Sequence, residues 1–211
     1  MKLKVDISVR ERMLSLGIWR SSLLFFLISF VGWCFEKVAR YIVYNSVTDR
    51  GFLTMPLCPI YGFSILMIYF LIGSPKSPII GVEYETDGRW ERVFSFIINF
   101  LIYFIFAAAV TSAVELVTGM FFKEVMGVTL WNYQDRFMNL WGYICLGYSM
   151  LWGGLISLFM LFCWESICRA VRKIRIGTVR VLGALCLTLM MSDFIFNLIY
   201  LFKVGSHFNF L

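Results

Sequence analysis

From Val93 to Val114 the chain runs without a single charged residue. That run meets the length of about 20 apolar residues that a helix needs to cross a bilayer. In lipid, backbone polar groups are satisfied only within helices or closed barrels, so the stretch predicts a membrane-spanning helix. Composition agrees: of 211 residues, 60% are hydrophobic and only 15% charged, with a mean hydropathy of +0.80. Soluble domains carry about 45–50% apolar and about 25% charged residues. The chain reads as an all-α, polytopic membrane helix bundle.

Apolar runs and their charged ends place about five transmembrane spans, near residues 22–44, 58–73, 93–120, 140–163 and 179–202, in a single bundle over residues 21–203. Residues 1–20 form a cytoplasmic basic arm, either an interfacial helix or a flexible segment, and residues 204–211 a short tail. The first apolar run, Leu23 to Phe35, ends in Glu36-Lys37 with no small-residue cleavage site. It therefore predicts a retained helix rather than a cleaved signal peptide. Residues 74–92 are a polar connection, 121–138 a mixed linker and 165–180 a basic loop. With the N-terminus inside, 13 Lys and Arg fall on the inner side and six on the outer. The positive-inside rule then puts the N-terminus in the cytoplasm and the C-terminus outside, in a multi-pass cell-membrane protein. The net charge of +6 sits at the ends of apolar runs, where it sets topology and gives no nucleic-acid patch.

Two loops break this pattern. Asp49 to Phe63 (DRGFLTMPLCPIYGF) holds Gly51, Pro56, Pro59 and Gly62, which forbid a continuous helix. Asp135 to Ser149 (DRFMNLWGYICLGYS) has a similar layout. Each follows a span with a late carboxylate, Glu36 or Glu115, and each carries Asp-Arg, aromatic and Gly residues and then a Cys. Spans one and two would then repeat as spans three and four. Span two is short, so the chain is expected to enter the membrane as irregular backbone. Such backbone is tolerated only when packed in protein or facing water, which makes Asp49–Gly62 the leading site candidate.

Ionisable residues at membrane depth cost about 2.5–3.5 kcal/mol each on insertion scales and are seldom kept without a partner or a task. Glu36 and Arg40 lie four apart on one helix face and could satisfy each other. Glu115 and Asp193 have no local cation, so they must reach Arg40, Arg50 or Arg136 across the bundle, stay protonated or face water. A proton carrier, a ligand for a cationic group and a plain interhelical hydrogen bond all remain open for them. Asp49-Arg50 and Asp135-Arg136 could clamp a headgroup or anion. Tyr61, Trp131, Tyr133 and Asn139 complete the polar-site candidates, although Trp131, Tyr133, Trp141, Tyr143 and Tyr148 also suit an aromatic belt. Gly153-Gly154 is expected to let helices approach closely.

No phosphate-binding G-x-x-x-x-G-K-[ST] loop, HExxH or GxSxG occurs in the sequence, and no CxxC. The six Cys lie mostly in apolar runs and the one His, His207, is near the C-terminus, which excludes a convincing Cys/His zinc site. No metal or cofactor is expected. Cys58 and Cys145 occupy corresponding places in the two loops, and a disulfide between them is conceivable.

The pieces GWCFE (Gly32 to Glu36), DRGFLTMPLCPIYGF, ELVTG from Glu115, and WNYQDRFMNLWGYICLGYSMLWG (Trp131 to Gly153) resemble the bacterial membrane family named Putative ABC-transporter type IV, or CmpB-like. The likeness covers about residues 25–160. The chain departs from the family pattern at Asp49 (Asn), Met55 (Gly), Asn132 (Asp) and Tyr143 (Arg). The last two changes remove an Asp and an Arg together, as when an ion pair gives way to neutral contacts. The resemblance implies a permease-like transport component whose ATPase, if used, is a separate subunit; a homo-oligomer is the other partner expectation. Two alternatives stand beside it. One is an intramembrane enzyme acting on lipid headgroups through Glu36, Glu115 and Arg residues. The other is a non-catalytic assembly or stress-response membrane protein. No catalytic residue can be assigned, and the weight lies against an enzyme.

Overall fold

The computed structural model describes residues 9–45, 51–76 and 89–205. Among them the chain forms six α-helices: α1 (Val9–Tyr44), α2 (Pro59–Ile72), α3 (Arg89–Met120), α4 (Leu146–Phe162), α5 (Trp164–Lys173) and α6 (Ile176–Val204). A π-helical turn, Phe121–Val125, extends α3, and a two-residue hairpin pairs β1 (Asn139–Leu140) with β2 (Ile144–Cys145). The all-α bundle expected from the sequence is present.

Among the described residues, three helices are long and apolar enough to cross a membrane: Glu11–Ile42, Trp90–Val125 and Ile176–Val204. The pair α4 and α5, bent by 51° at Cys163, makes a fourth crossing if it counts as one span. The fifth expected helix, α2, has only 14 residues. At 1.5 Å per residue it reaches about 21 Å, short of the roughly 30 Å hydrocarbon core. Two boundaries also differ from expectation. Span four does not begin as a helix at Leu140, because Trp141 and Gly142 take positive φ (53° and 77°) and turn the chain into the hairpin. The basic loop expected over 165–180 is largely helical. Trp164, Cys168 and Val171 of α5 form a buried stripe against the bundle, while Arg169, Arg172 and Lys173 face outward.

α1 is interrupted at Gly17, whose φ of 70° and ψ of 159° lie outside the helical region. The turn of helix before this break folds onto the end of α2. Arg12, 7% exposed, donates from Nη2 to the Leu71 carbonyl at 3.1 Å. The Tyr103 hydroxyl of α3 donates to the Gly73 carbonyl at 3.1 Å. The last carbonyls of a helix lack internal partners, and here a guanidinium and a phenol supply them.

Small residues let the helices meet. A Cβ on Gly62 of α2 would fall 2.8 Å from the Phe25 carbonyl oxygen of α1. One on Gly153 of α4 would fall 2.7 Å from the Ala108 Cβ of α3, the close approach expected there. The main core, including Leu24, Ile68, Tyr103, Met160 and Trp164, lies between α1 to α5.

Candidate substrate cavity

Pro56 and Pro59 lack backbone donors, so the chain stays irregular until Pro59, which suits the first turn of α2. The preceding residues nevertheless lie inside the bundle: Phe52, Leu53, Leu57 and Cys58 are all buried. Irregular backbone in that position needs partners, and two helices provide them. The Cys58 N–H donates to the Ser29 carbonyl of α1 at 3.0 Å. The Met55 N–H donates to Asp193 Oδ2 of α6 at 3.0 Å. Asn197, fully buried one turn on from Asp193, donates from Nδ2 to Thr54 Oγ1 at 2.9 Å and to Asp193 Oδ1 at 3.2 Å. Asp193 is thus engaged with a loop backbone and with Asn197.

The second loop is built around its own hydrogen bonds. Asn139 Nδ2 donates to the Gln134 and Arg136 carbonyls at 2.9 and 3.0 Å, and its Oδ1 accepts from the Gly142 N–H at 3.2 Å. Trp131 Nε1 donates to the Tyr143 carbonyl at 2.9 Å, and the Tyr143 hydroxyl donates to Glu124 Oε1 at 2.8 Å. This scaffold aims Tyr133 at α3. Its ring stacks on Tyr148 of α4 with centroids 4.8 Å apart, and its hydroxyl donates to Glu115 Oε1 at 2.9 Å. Burial, followed by the Glu115 carboxylate, pushes the Tyr133 phenol well above its usual range, so it stays a proton donor.

Between the two loops lies a cavity of about 550 Å³, lined by residues of α1, α2, α3, α4 and α6. Glu36, Tyr61, Glu115, Trp131 and Tyr133 all border it, so five of the sequence candidates converge. Glu115 is 5% exposed, and its Oε2 is buried without a hydrogen-bond partner. Glu36 Oε2 accepts from the Cys58 thiol at 3.3 Å. Apart from these groups the lining is mainly apolar, with Phe52, Trp152, Met190 and Phe194 among it. Arg40, Arg136, Asn139 and Asp193 do not border the cavity. Asp49 and Arg50 fall outside the described residues.

A family model described as Putative ABC-transporter type IV matches residues 23–198. The chain belongs to this family. The match runs from α1 to α6 and takes in every residue that lines the cavity. No curated protein and no solved structure matches the chain. Within this Putative ABC-transporter type IV protein, Cys58 and Cys145 hold corresponding places as expected, but as helix starts and not as a covalent pair. They form no disulfide, and each is the N-cap residue of its helix, α2 or α4. Three residues beyond them stand Tyr61, at the cavity, and Tyr148, stacked on Tyr133. That shared Cys-x-x-Tyr spacing was a readable signal for both.

Replacing Tyr133 with Phe keeps the stack on Tyr148 and strips Glu115 of its donor, leaving a buried carboxyl with no partner. The expected cost is about 1–3 kcal/mol. A denaturant-unfolding midpoint in detergent equal to the parent protein's would refute the bond's importance.

Proposed function

We propose that the chain is the permease-like, membrane-spanning component of a transport system, drawing energy from a separate ATPase subunit. The observation that carries this reading is the cavity itself. It joins a polar end at Glu36, Glu115 and Tyr133 to an apolar body, inside a bundle of membrane helices. Pockets that take up small molecules have this make-up and a volume of about 300–1,000 Å³. Membership of a family named for ABC transport supports the same reading.

The proposed topology keeps the N-terminus cytoplasmic and the C-terminus outside. α2 meets Ser29 and Glu36 of α1 at its start and Arg12 at its end, so it runs back along α1. Residues 51–58 and α2 together would then complete the fifth crossing, half as irregular backbone and half as helix. Of the Arg residues the enzyme alternative would use, Arg40 and Arg136 do not border the cavity, and Arg50 lies outside the described residues. The assembly alternative leaves the cavity without a role.

Purification from the native membrane under mild detergent should bring down an ATPase, and vesicles holding both should show ATP-dependent flux. A lone protein that is fully active in vesicles without nucleotide would refute the ATP-driven version.

A further inference from the structure

The polar lining of the cavity combines two carboxyls, Glu36 and Glu115, with the hydroxyls of Tyr61, Ser64, Thr111 and Tyr133. Glu115 Oε2 is a buried oxygen with no partner, and Glu115 borders the cavity. One turn earlier on α3, the buried Thr111 also borders it. Its hydroxyl hydrogen is directed at the Ala107 carbonyl, 2.7 Å away, so Oγ1 can meet a further group only as an acceptor. The Tyr133 hydroxyl is already committed to Glu115 Oε1. Glu36 adds a second carboxyl to the same wall. Among the described residues, no Lys or Arg lines the cavity.

An anionic ligand finds no Lys or Arg among the described lining residues and meets the unpartnered Glu115 oxygen. A neutral apolar ligand would leave Glu115 Oε2 unsatisfied, which is costly for a buried polar atom. A primary ammonium brings a positive charge and three donors, matching a carboxylate and a neighbouring hydroxyl acceptor. The apolar remainder of the cavity, including Phe52, Trp152, Met190 and Phe194, would take a hydrocarbon body.

We infer that the cavity binds a primary ammonium group carried on an apolar body, with Glu115 Oε2 and Thr111 Oγ1 as its acceptors. The inference deepens the transport reading, and rests on it only in calling this ligand the substrate. The ammonium can come from a free alkylamine or from an ethanolamine lipid headgroup.

The test uses the full chain in phosphatidylcholine nanodiscs near neutral pH, with dodecylamine, dodecanol and dodecanoic acid as probes of equal chain length. Isothermal titration, corrected against empty discs, should find dodecylamine bound about tenfold or more tighter than dodecanol, with dodecanoate weakest. Glu115→Gln should erase the preference for the amine while leaving dodecanol binding in place. Discs containing phosphatidylethanolamine distinguish the two sources. Weakened dodecylamine binding there assigns the lipid headgroup, and unchanged binding assigns a free amine. Equal or tighter binding of dodecanol or dodecanoate to the parent protein overturns the inference, whether or not Glu115→Gln folds. Full retention of the amine preference in a folded Glu115→Gln overturns it too. Ammonium-selective binding without flux in vesicles leaves this site standing and removes the transport reading. Flux with no ammonium preference does the reverse.

Discussion

Asp193→Ala should loosen the irregular segment 51–58 and destabilise the protein by about 2–4 kcal/mol, since it removes two hydrogen bonds of about 0.5–1.5 kcal/mol each and leaves a buried donor unsatisfied at about 1–3 kcal/mol. Asp193 accepts from the Met55 N–H at 3.0 Å and from Asn197 at 3.2 Å. The alanine removes both acceptors and strands a backbone donor among apolar neighbours. Amide exchange at Met55 and Cys58 should accelerate about 30- to 1,000-fold, the same free energy read as a local opening. Asp193→Asn retains one carbonyl acceptor and should fall between the two. Exchange at Met55 indistinguishable from the parent protein would show that α6 does not hold this segment.

Gly153→Val should be the most damaging change between helices. The added Cβ alone meets Ala108 Cβ at 2.7 Å and the Ala108 backbone at 3.0 Å, so side-chain rotation cannot relieve it. α3 and α4 must separate, and overpacking of this kind costs about 3 kcal/mol or more. Loss of expression or of a monodisperse detergent peak is the expected result. The neighbouring Gly154 provides the contrast. A Cβ there would lie 3.5 Å from the Phe104 ring, an ordinary contact. Gly154→Ala should therefore be neutral, or gain up to about 1 kcal/mol from helix propensity. Equal sensitivity at both positions would argue against a specific seam between α3 and α4.

The sequence made the bundle plain because a charge-free run such as Val93 to Val114 has few options in lipid. α5 was missed because Arg169, Arg172 and Lys173 drew it toward a loop. The i, i+4, i+7 spacing of Trp164, Cys168 and Val171 was the signal for an amphipathic helix packed on the bundle. The start of α4 was misplaced because hydropathy cannot see the positive φ at Trp141 and Gly142. At the site, Glu36 and Glu115 stood out as charges at membrane depth, and Tyr61 and Tyr133 as aromatics in the unusual loops. Asp193 stood out as well, yet its partner is the backbone N–H of Met55. Every residue but proline carries such a donor, so no side-chain pattern could have named it.

The shortness of α2 bears on how the protein is made. A helix of 14 residues is a poor candidate for independent insertion by the translocon, whatever its hydropathy. Its first turn leans on Ser29 and Glu36, and its last is closed by Arg12 and Tyr103. Three of those four supports belong to α1, which leaves the ribosome first. Biogenesis should therefore deliver α1 and α2 as a hairpin. The Tyr103 support arrives only once α3 has been synthesised, making closure of the α2 end a late event in assembly.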